Sequence, residues 1–138
     1  MCQNAFRTVS IIIDNGKVGI SDEKNLLTAL SAAGMEFEPL LCGGSADSWI
    51  QEREQWHSGA NFFAVAPGKV LGYDRNTATL EVLERQGYQV VKGKDVVRGK
   101  IDPGDLEKCV ITIPGSELAR GGGGCRCMTM PLRRRSPE

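Results

Sequence analysis

The sequence predicts an α/β fold made of ββαβ repeats, propeller-like in outline, with about two repeats present. Three observations lead there. A β-branched run, a tight turn, a return strand, a helix and a short strand follow one another over residues 7–42, and the same order recurs over residues 61–93. Gly16-Lys17-Val18 returns as Gly68-Lys69-Val70 at an offset of 52, and Gly34 returns as Gly87 at an offset of 53. One added residue in the second hairpin accounts for the difference. Finally, a ββαβ unit leaves sheet edges open and covers one face only, a problem that stacked copies around an axis solve.

Each element has a local reason. Val9-Ser-Ile-Ile-Ile-Asp14 is β-branched and reads as a strand. Asn15-Gly16 is the strongest short hairpin signal, and Lys17-Val-Gly-Ile20 is the return strand. Ser21 or Asp22 then caps a helix carrying Leu26, Leu27, Leu30 and Ala33, which Gly34 ends. Glu36-Phe-Glu-Pro-Leu-Leu41 reads as a short strand. Between the repeats, Ser45-Ala46-Asp47 offers a cap for a helix in which Trp49, Ile50, Arg53 and Trp56 share a face. In the second repeat, Phe62–Ala66 is a strand, Pro67-Gly68 the turn, and Lys69–Tyr73 the return. Asn76 or Thr77 caps a helix with Leu80 and Leu83, Gly87 ends it, and Tyr88–Val91 is the last strand. Lys92–Lys108 is polar, with Gly93, Gly99 and Pro103-Gly104, and reads as a surface loop or insertion. Cys109–Ile113 is a strand, Pro114-Gly115-Ser116 breaks it, and Arg120 leads into four glycines.

A chain of 138 residues is one ordinary domain, here residues 1–138, and buries roughly 68% of its unfolded surface. Hydrophobic residues at 41% and charged residues at 25% exclude global disorder and a fibrous repeat. The 17 basic and 17 acidic residues cancel, which argues against a nucleic-acid partner. Arg133-Arg-Arg135, beside Glu138, reads as a solvated tail. No apolar run approaches the ~20 residues of a membrane span, and the first ten residues lack a signal-peptide core. Five irregularly spaced cysteines (Cys2, Cys42, Cys109, Cys125, Cys127) point to free thiols in a reducing cytoplasm.

The most unusual stretch is Gly121-Gly-Gly-Gly-Cys-Arg-Cys127-Met-Thr-Met-Pro131. It lacks the Lys-Ser/Thr ending of a phosphate loop and leads into Met128–Leu132, which is strand-like. A flexible linker and a close backbone approach to a ligand remain the other readings. Cys125 and Cys127 would face the same way on a strand. Zinc would need two further ligands, and His57 is the only histidine, so no metal is expected. A cysteine after a glycine loop becomes a nucleophile if something lowers its pKa, and Arg126 or Arg120 could do so. Composition alone favours a structural thiol, and a redox pair at Cys125 and Cys127 is a further alternative. His57 sits at a helix end, where it caps the C-terminus. Glu52, Arg53 and Glu54 read as a solvated face.

Five segments fall in order over residues 42–133: Glu52-Arg-Glu-Gln-Trp56, Gly59-Ala-Asn-Phe-Phe-Ala-Val-Ala-Pro-Gly68, Gly72-Tyr-Asp-Arg-Asn76, Gly115-Ser-Glu-Leu-Ala-Arg120 and Arg126-Cys-Met-Thr-Met-Pro131. Together they resemble arginine deiminase, one of the guanidine-modifying enzymes built as a five-bladed ββαβ propeller, the pentein fold. The resemblance implies the C-terminal part of such a propeller, with its nucleophile-bearing segment at residues 109–132. It implies that Cys127 is the nucleophile and that Arg120, Gly121 and Gly122 bind substrate. Gly122 stands where the family has a second arginine, which contacts the substrate carboxylate. The reaction implied is hydrolysis of an arginine-like guanidino substrate to a ureido product and ammonia through a thiouronium on cysteine, with neither metal nor organic cofactor.

The family's guanidinium-holding carboxylates and its His-x-Asp motif lie upstream of everything matched. The chain alone is therefore expected to be inactive. Open edges at Val9–Ile13 and Cys109–Ile113 predict a homo-oligomer or a missing N-terminal portion. The alternative from another class is a non-catalytic pentein module for binding or assembly.

Overall fold

The Asn15-Gly16 pair does what its chemistry allows. Both residues take positive φ (49° and 78°), the geometry of a two-residue turn that matches strand twist. In the computed structural model, which describes residues 7–133, this turn joins β1 (Thr8–Asp14) to β2 (Lys17–Glu23). The strands pair antiparallel with Asp14 opposite Lys17, Ile13 opposite Val18 and Ile11 opposite Ile20. The chain divides into two compact units, residues 1–39 and 40–138. Cys2, Arg134, Arg135 and Glu138 lie outside the described residues.

Two expectations for the first unit are corrected. The hairpin runs on to Glu23, so Ser21 and Asp22 are strand residues rather than caps. They face Ser10 and Val9 across the ladder, and Asp22 pairs with Arg7 at 2.7 Å. The helix α1 (Leu26–Ala32) is capped instead by Asn25, whose Oδ1 accepts from the Thr28 N–H at 2.9 Å. Gly34, with φ +80°, ends α1 as expected. Its N–H bonds to the Ser31 carbonyl and that of Met35 to the Leu30 carbonyl, which satisfies two of the last carbonyls. Glu36–Leu41 forms no strand. The sheet of the first unit has only two strands, and Pro39 has no N–H to give a ladder.

In the second unit, Asp47 caps α2 (Ser48–Trp56) by accepting from the Trp49 N–H at 2.8 Å, within the predicted cap. Then come β3 (Phe63–Ala66), β4 (Lys69–Tyr73), α3 (Thr77–Arg85), β5 (Gln89–Lys92), a short α4 (Gly93–Val97) and β6 (Cys109–Ile113). The four strands lie in the order β3-β4-β6-β5. The pair β3–β4 is an antiparallel hairpin, while β6 runs parallel to both β4 and β5. The molecule is thus mixed α/β, as predicted. The strand order differs from a simple ββαβ reading, because β6 inserts between β4 and β5.

That insertion explains a second group of corrections. Parallel neighbours need a crossover of about a dozen residues or more. Residues 93–108 supply it, with α4 and a 3-10 turn at Pro103–Asp105, so this stretch is not a plain surface loop. Its Val96, Ile101 and Leu106 pack on buried Val91, Cys109 and Ile111. On the other face of β6, Val110 packs with Leu80 and Leu83 of α3, supported by Phe62, Val70, Tyr88 and Val90. A strand covered on both faces reads as a continuous apolar run. Cys109–Ile113 is therefore the buried centre of the sheet, with Cys109 and Val110 fully buried, and not an uncovered segment. The hairpin β1–β2 does remain exposed, with Ile11, Ile13, Val18 and Ile20 each at least 60% accessible.

Met128–Leu132 is not a strand either. The Met128 N–H bonds to the Gly124 carbonyl (3.2 Å) and the Thr129 N–H and hydroxyl to the Arg126 carbonyl (3.1 and 2.7 Å), closing a helical turn. No helix among the described residues is long and apolar enough to cross a membrane.

Candidate active site

The turn at 124–129 places its two cysteines in opposite environments rather than on one face of a strand. Cys125 is buried with Tyr73 and Ala119, while Cys127 is exposed. Burial pushes the Cys125 thiol up, because a buried thiolate loses its hydration. The Cys127 thiol is lowered, first by a hydrogen bond from Asn61, then by a backbone hydrogen bond at Gly124, and also by the charge of Arg126. A lowered, exposed thiol is the form in which cysteine acts as a nucleophile.

Asn61 is the residue that sequence reasoning passed over. Its Nδ2 donates to Cys127 Sγ at 2.8 Å, and its Oδ1 accepts from the Arg126 N–H at 3.2 Å. The glycine run makes room for this. A Cβ on Gly124 would lie 2.9 Å from Asn61 Oδ1 and closer still to its Cβ and Cγ. The Tyr73 hydroxyl bonds to the Gly123 carbonyl at 3.2 Å. The run is thus tied down at its C-terminal half, and the close approach is to the protein's own Asn61.

The other predicted site residues lie on the N-terminal half of the loop. Leu118–Gly121 is a 3-10 turn, and Gly122 follows with φ +71°. A Cβ on Gly121 or Gly122 would meet nothing within 4 Å, so both border open space. Arg120 is exposed and pairs with Glu117 at 3.1 Å. Of the two arginines considered, Arg126 acts on the Cys127 sulfur and Arg120 is not among the groups that shift it. An open cleft of about 380 Å³ is lined by Gln55, Ser58, Ala60, Asn61 and Arg126, and so includes Arg126 of the Cys127 turn and the Asn61 that faces it.

His57 is the C-cap of α2, as expected, and its carbonyl accepts from Asn76 Nδ2 at 3.1 Å. Glu54 is a correction. It is 1% exposed, not solvated. Its Oε1 accepts from the Ala78 N–H (3.0 Å), and its Oε2 from the Thr79 N–H (2.8 Å) and hydroxyl (2.6 Å). These are the second and third N–H groups of α3, which a cap normally serves. Asn76, the N-cap residue, makes no side-chain cap bond. The signal in the sequence was a helix without an acid in its first turn. Among the described residues no three His, Cys, Asp or Glu side chains converge as metal ligands.

A family model described as arginine deiminase matches residues 1–134. The chain is 39% identical over 133 residues to the arginine deiminase of Streptococcus uberis, covering 94% of this chain and 27% of that protein. It is 39% identical over 125 residues to that of Mycoplasma capricolum (89% and 26%), and 37% over 134 residues to that of Streptococcus gordonii (96% and 28%). The chain belongs to the arginine deiminase family. It spans roughly a quarter of the length of these curated relatives, 26–28%.

Proposed function

We propose that this chain is the nucleophile-bearing part of an arginine deiminase-like hydrolase. The observation that carries the reading is the exposed Cys127 thiol, lowered by Asn61 at the end of a glycine loop. The Cys127 thiolate forms a bond to the guanidinium carbon. One C–N bond then breaks, and that nitrogen takes a proton and leaves as ammonia. Water attacks the remaining S-alkylthiouronium, the C–S bond breaks, and the thiolate returns as a ureido product departs. In sum, a guanidinium and water give a urea and ammonium. Arg120, Gly121 and Gly122 border the open side of the loop, where the substrate would lie.

The reaction also needs carboxylates to hold the flat cation and a histidine to move protons, help typically worth about 10²–10⁴-fold. In this reading those groups come from the rest of a five-bladed pentein propeller, of which this chain supplies about two blades, in the cytoplasm. The apolar hairpin face of Ile11, Ile13, Val18 and Ile20 would then be covered by further blades or by another copy of the chain. The same face supports the second reading, a non-catalytic module for binding or assembly.

The test supplies what is missing. The chain alone should release no citrulline from arginine. Mixed with the complementary N-terminal portion of the Streptococcus uberis enzyme, it should turn over, and Cys127→Ser should abolish turnover. Acid quenching should trap a Cys127 adduct. Turnover that survives Cys127→Ser refutes the reading. A complex that assembles but stays silent favours the binding module.

A further inference from the structure

We propose that Asn61 is the positioning residue for Cys127, its side-chain amide holding the sulfur through Nδ2 and the peptide that carries it through Oδ1. The inference rests on the reading of Cys127 as nucleophile and adds how that sulfur is set. The orientation of the amide is decided by its partners. The Arg126 N–H can only donate, so the carbonyl oxygen must face it, which leaves the NH₂ group for the sulfur. A side-chain amide carries its donor and its acceptor on separate atoms, so it serves both partners at once.

Asn61 is itself fixed. Its N–H bonds to the Ser58 carbonyl at 3.0 Å, and the Gly59 N–H to the Glu54 carbonyl at 2.8 Å, so the residue hangs from the end of α2. Gly59 is buried, and a Cβ there would lie 2.6 Å from Cys42 Sγ and 2.8 Å from the Glu54 carbonyl oxygen. On the opposite side Gly124 leaves no side chain between the two segments. The Arg126 N–H also reaches the Asn61 backbone carbonyl at 3.5 Å, so two chain segments 66 residues apart meet at this one residue.

The chemical consequence follows from which form of sulfur accepts best. A thiolate accepts a hydrogen bond more strongly than a thiol or a thioether, so the Asn61 donor favours the attacking form and the leaving form alike. The gain is partly offset, because a less basic thiolate is less nucleophilic. With a Brønsted slope of about 0.4–0.5, a tenfold gain in thiolate fraction nets about threefold in rate below the midpoint. The ionisable groups around the sulfur are Arg126, Cys125 and Tyr73. Burial raises both Cys125 and Tyr73, so they stay neutral over the range where Cys127 titrates.

Alkylation of Cys127 by iodoacetamide, in which the sulfur displaces iodide, reads this directly. The rate is mapped by mass spectrometry against pH in the full chain, in Asn61→Ala and in Asn61→Asp. In Asn61→Ala the midpoint should move to higher pH. The rate at neutral pH should fall about threefold for each tenfold loss of thiolate, while the high-pH plateau equals or exceeds the parent's. Asn61→Asp keeps the acceptor for the Arg126 N–H but sets an anion against the sulfur, and its midpoint should move further. A merely structural role would lower the rate by one factor at every pH. That result, or an unmoved midpoint in folded Asn61→Asp, overturns the proposal. Where Asn61→Ala loses its circular dichroism, Asn61→Asp decides; loss of fold in both also overturns it. Arginine turnover is not read here. A failed hydrolase reading leaves a moved midpoint standing, and an unmoved midpoint beside Cys127-dependent turnover removes Asn61 alone.

Discussion

Replacing Glu54 by glutamine removes an anion from the N-terminus of α3 while keeping the side chain's shape. The carboxylate receives two N–H groups on two different oxygens, from Ala78 and Thr79, and the Thr79 hydroxyl besides. A carboxamide has one oxygen, so one buried N–H would face an NH₂ group. A bond to a charged group is worth about 1.5–3 kcal/mol, and an unsatisfied buried N–H costs about 1–3 kcal/mol. An anion lost from a partly buried helix N-terminus adds about 0.3–2 kcal/mol. The lower desolvation cost of a neutral amide offsets part of this. The net loss expected is about 2–4 kcal/mol, a large fraction of the 5–15 kcal/mol typical of a domain.

With a urea slope of about 2 kcal/mol/M, the midpoint should fall by about 1–2 M. Far-UV circular dichroism in urea is the assay. Glu52→Gln, at an exposed position two residues away, is the control and should stay within about 0.5 kcal/mol of the parent. Thr79→Val should cost less when Glu54 is already glutamine, with a coupling of at least about 0.5 kcal/mol. If Glu54→Gln shifts the midpoint no further than Glu52→Gln does, the cap argument is wrong.

Three further outcomes are expected. Gly72→Ala would drive a Cβ into the Phe62 ring and should cost about 1–3 kcal/mol of stability, read as a lower melting temperature. Burial raises the Cys109 and Cys125 thiols, so above about pH 8.5 the unfolded chain releases protons that the folded chain keeps. Stability should therefore be unaffected by these groups below that pH and fall above it, and Cys109→Val should flatten the fall in urea midpoints. Sedimentation over a wide concentration range should show self-association through the apolar hairpin face, weakened by Ile11→Lys with Ile13→Lys; a monomer at every concentration counts against the incomplete-sheet reading.

Much of the local structure was legible because its causes are local. Asn15-Gly16 makes its own turn, Asp47 caps the helix that begins beside it, and Gly34 and Gly87 take the positive φ that ends α1 and α3. The strand Lys69–Tyr73 and the apolar run Cys109–Ile113 appear with the predicted bounds. Strand ends were less legible. Nothing within Ser21–Glu23 says that pairing with Thr8–Ser10 wins over capping a helix, because that contest is settled across the hairpin. The failed strand at Glu36–Leu41 has the same origin, since a strand exists only if a neighbour takes its hydrogen bonds.

The sequence by itself determined that the chain is α/β, that it belongs with the arginine deiminases, and that Cys127 follows a glycine run. Its side-chain periodicities and turn chemistry act over a few residues, and the family motifs are contiguous. Only the tertiary structure decided that β6 enters between β4 and β5, that Glu54 caps a helix 24 residues away, and that Asn61 reaches Cys127. Each depends on which surfaces meet when the core closes. The same glutamate is a solvated charge on an isolated helix and an anchored cap once α3 packs beside it, because burial removes the water that would otherwise compete for its oxygens.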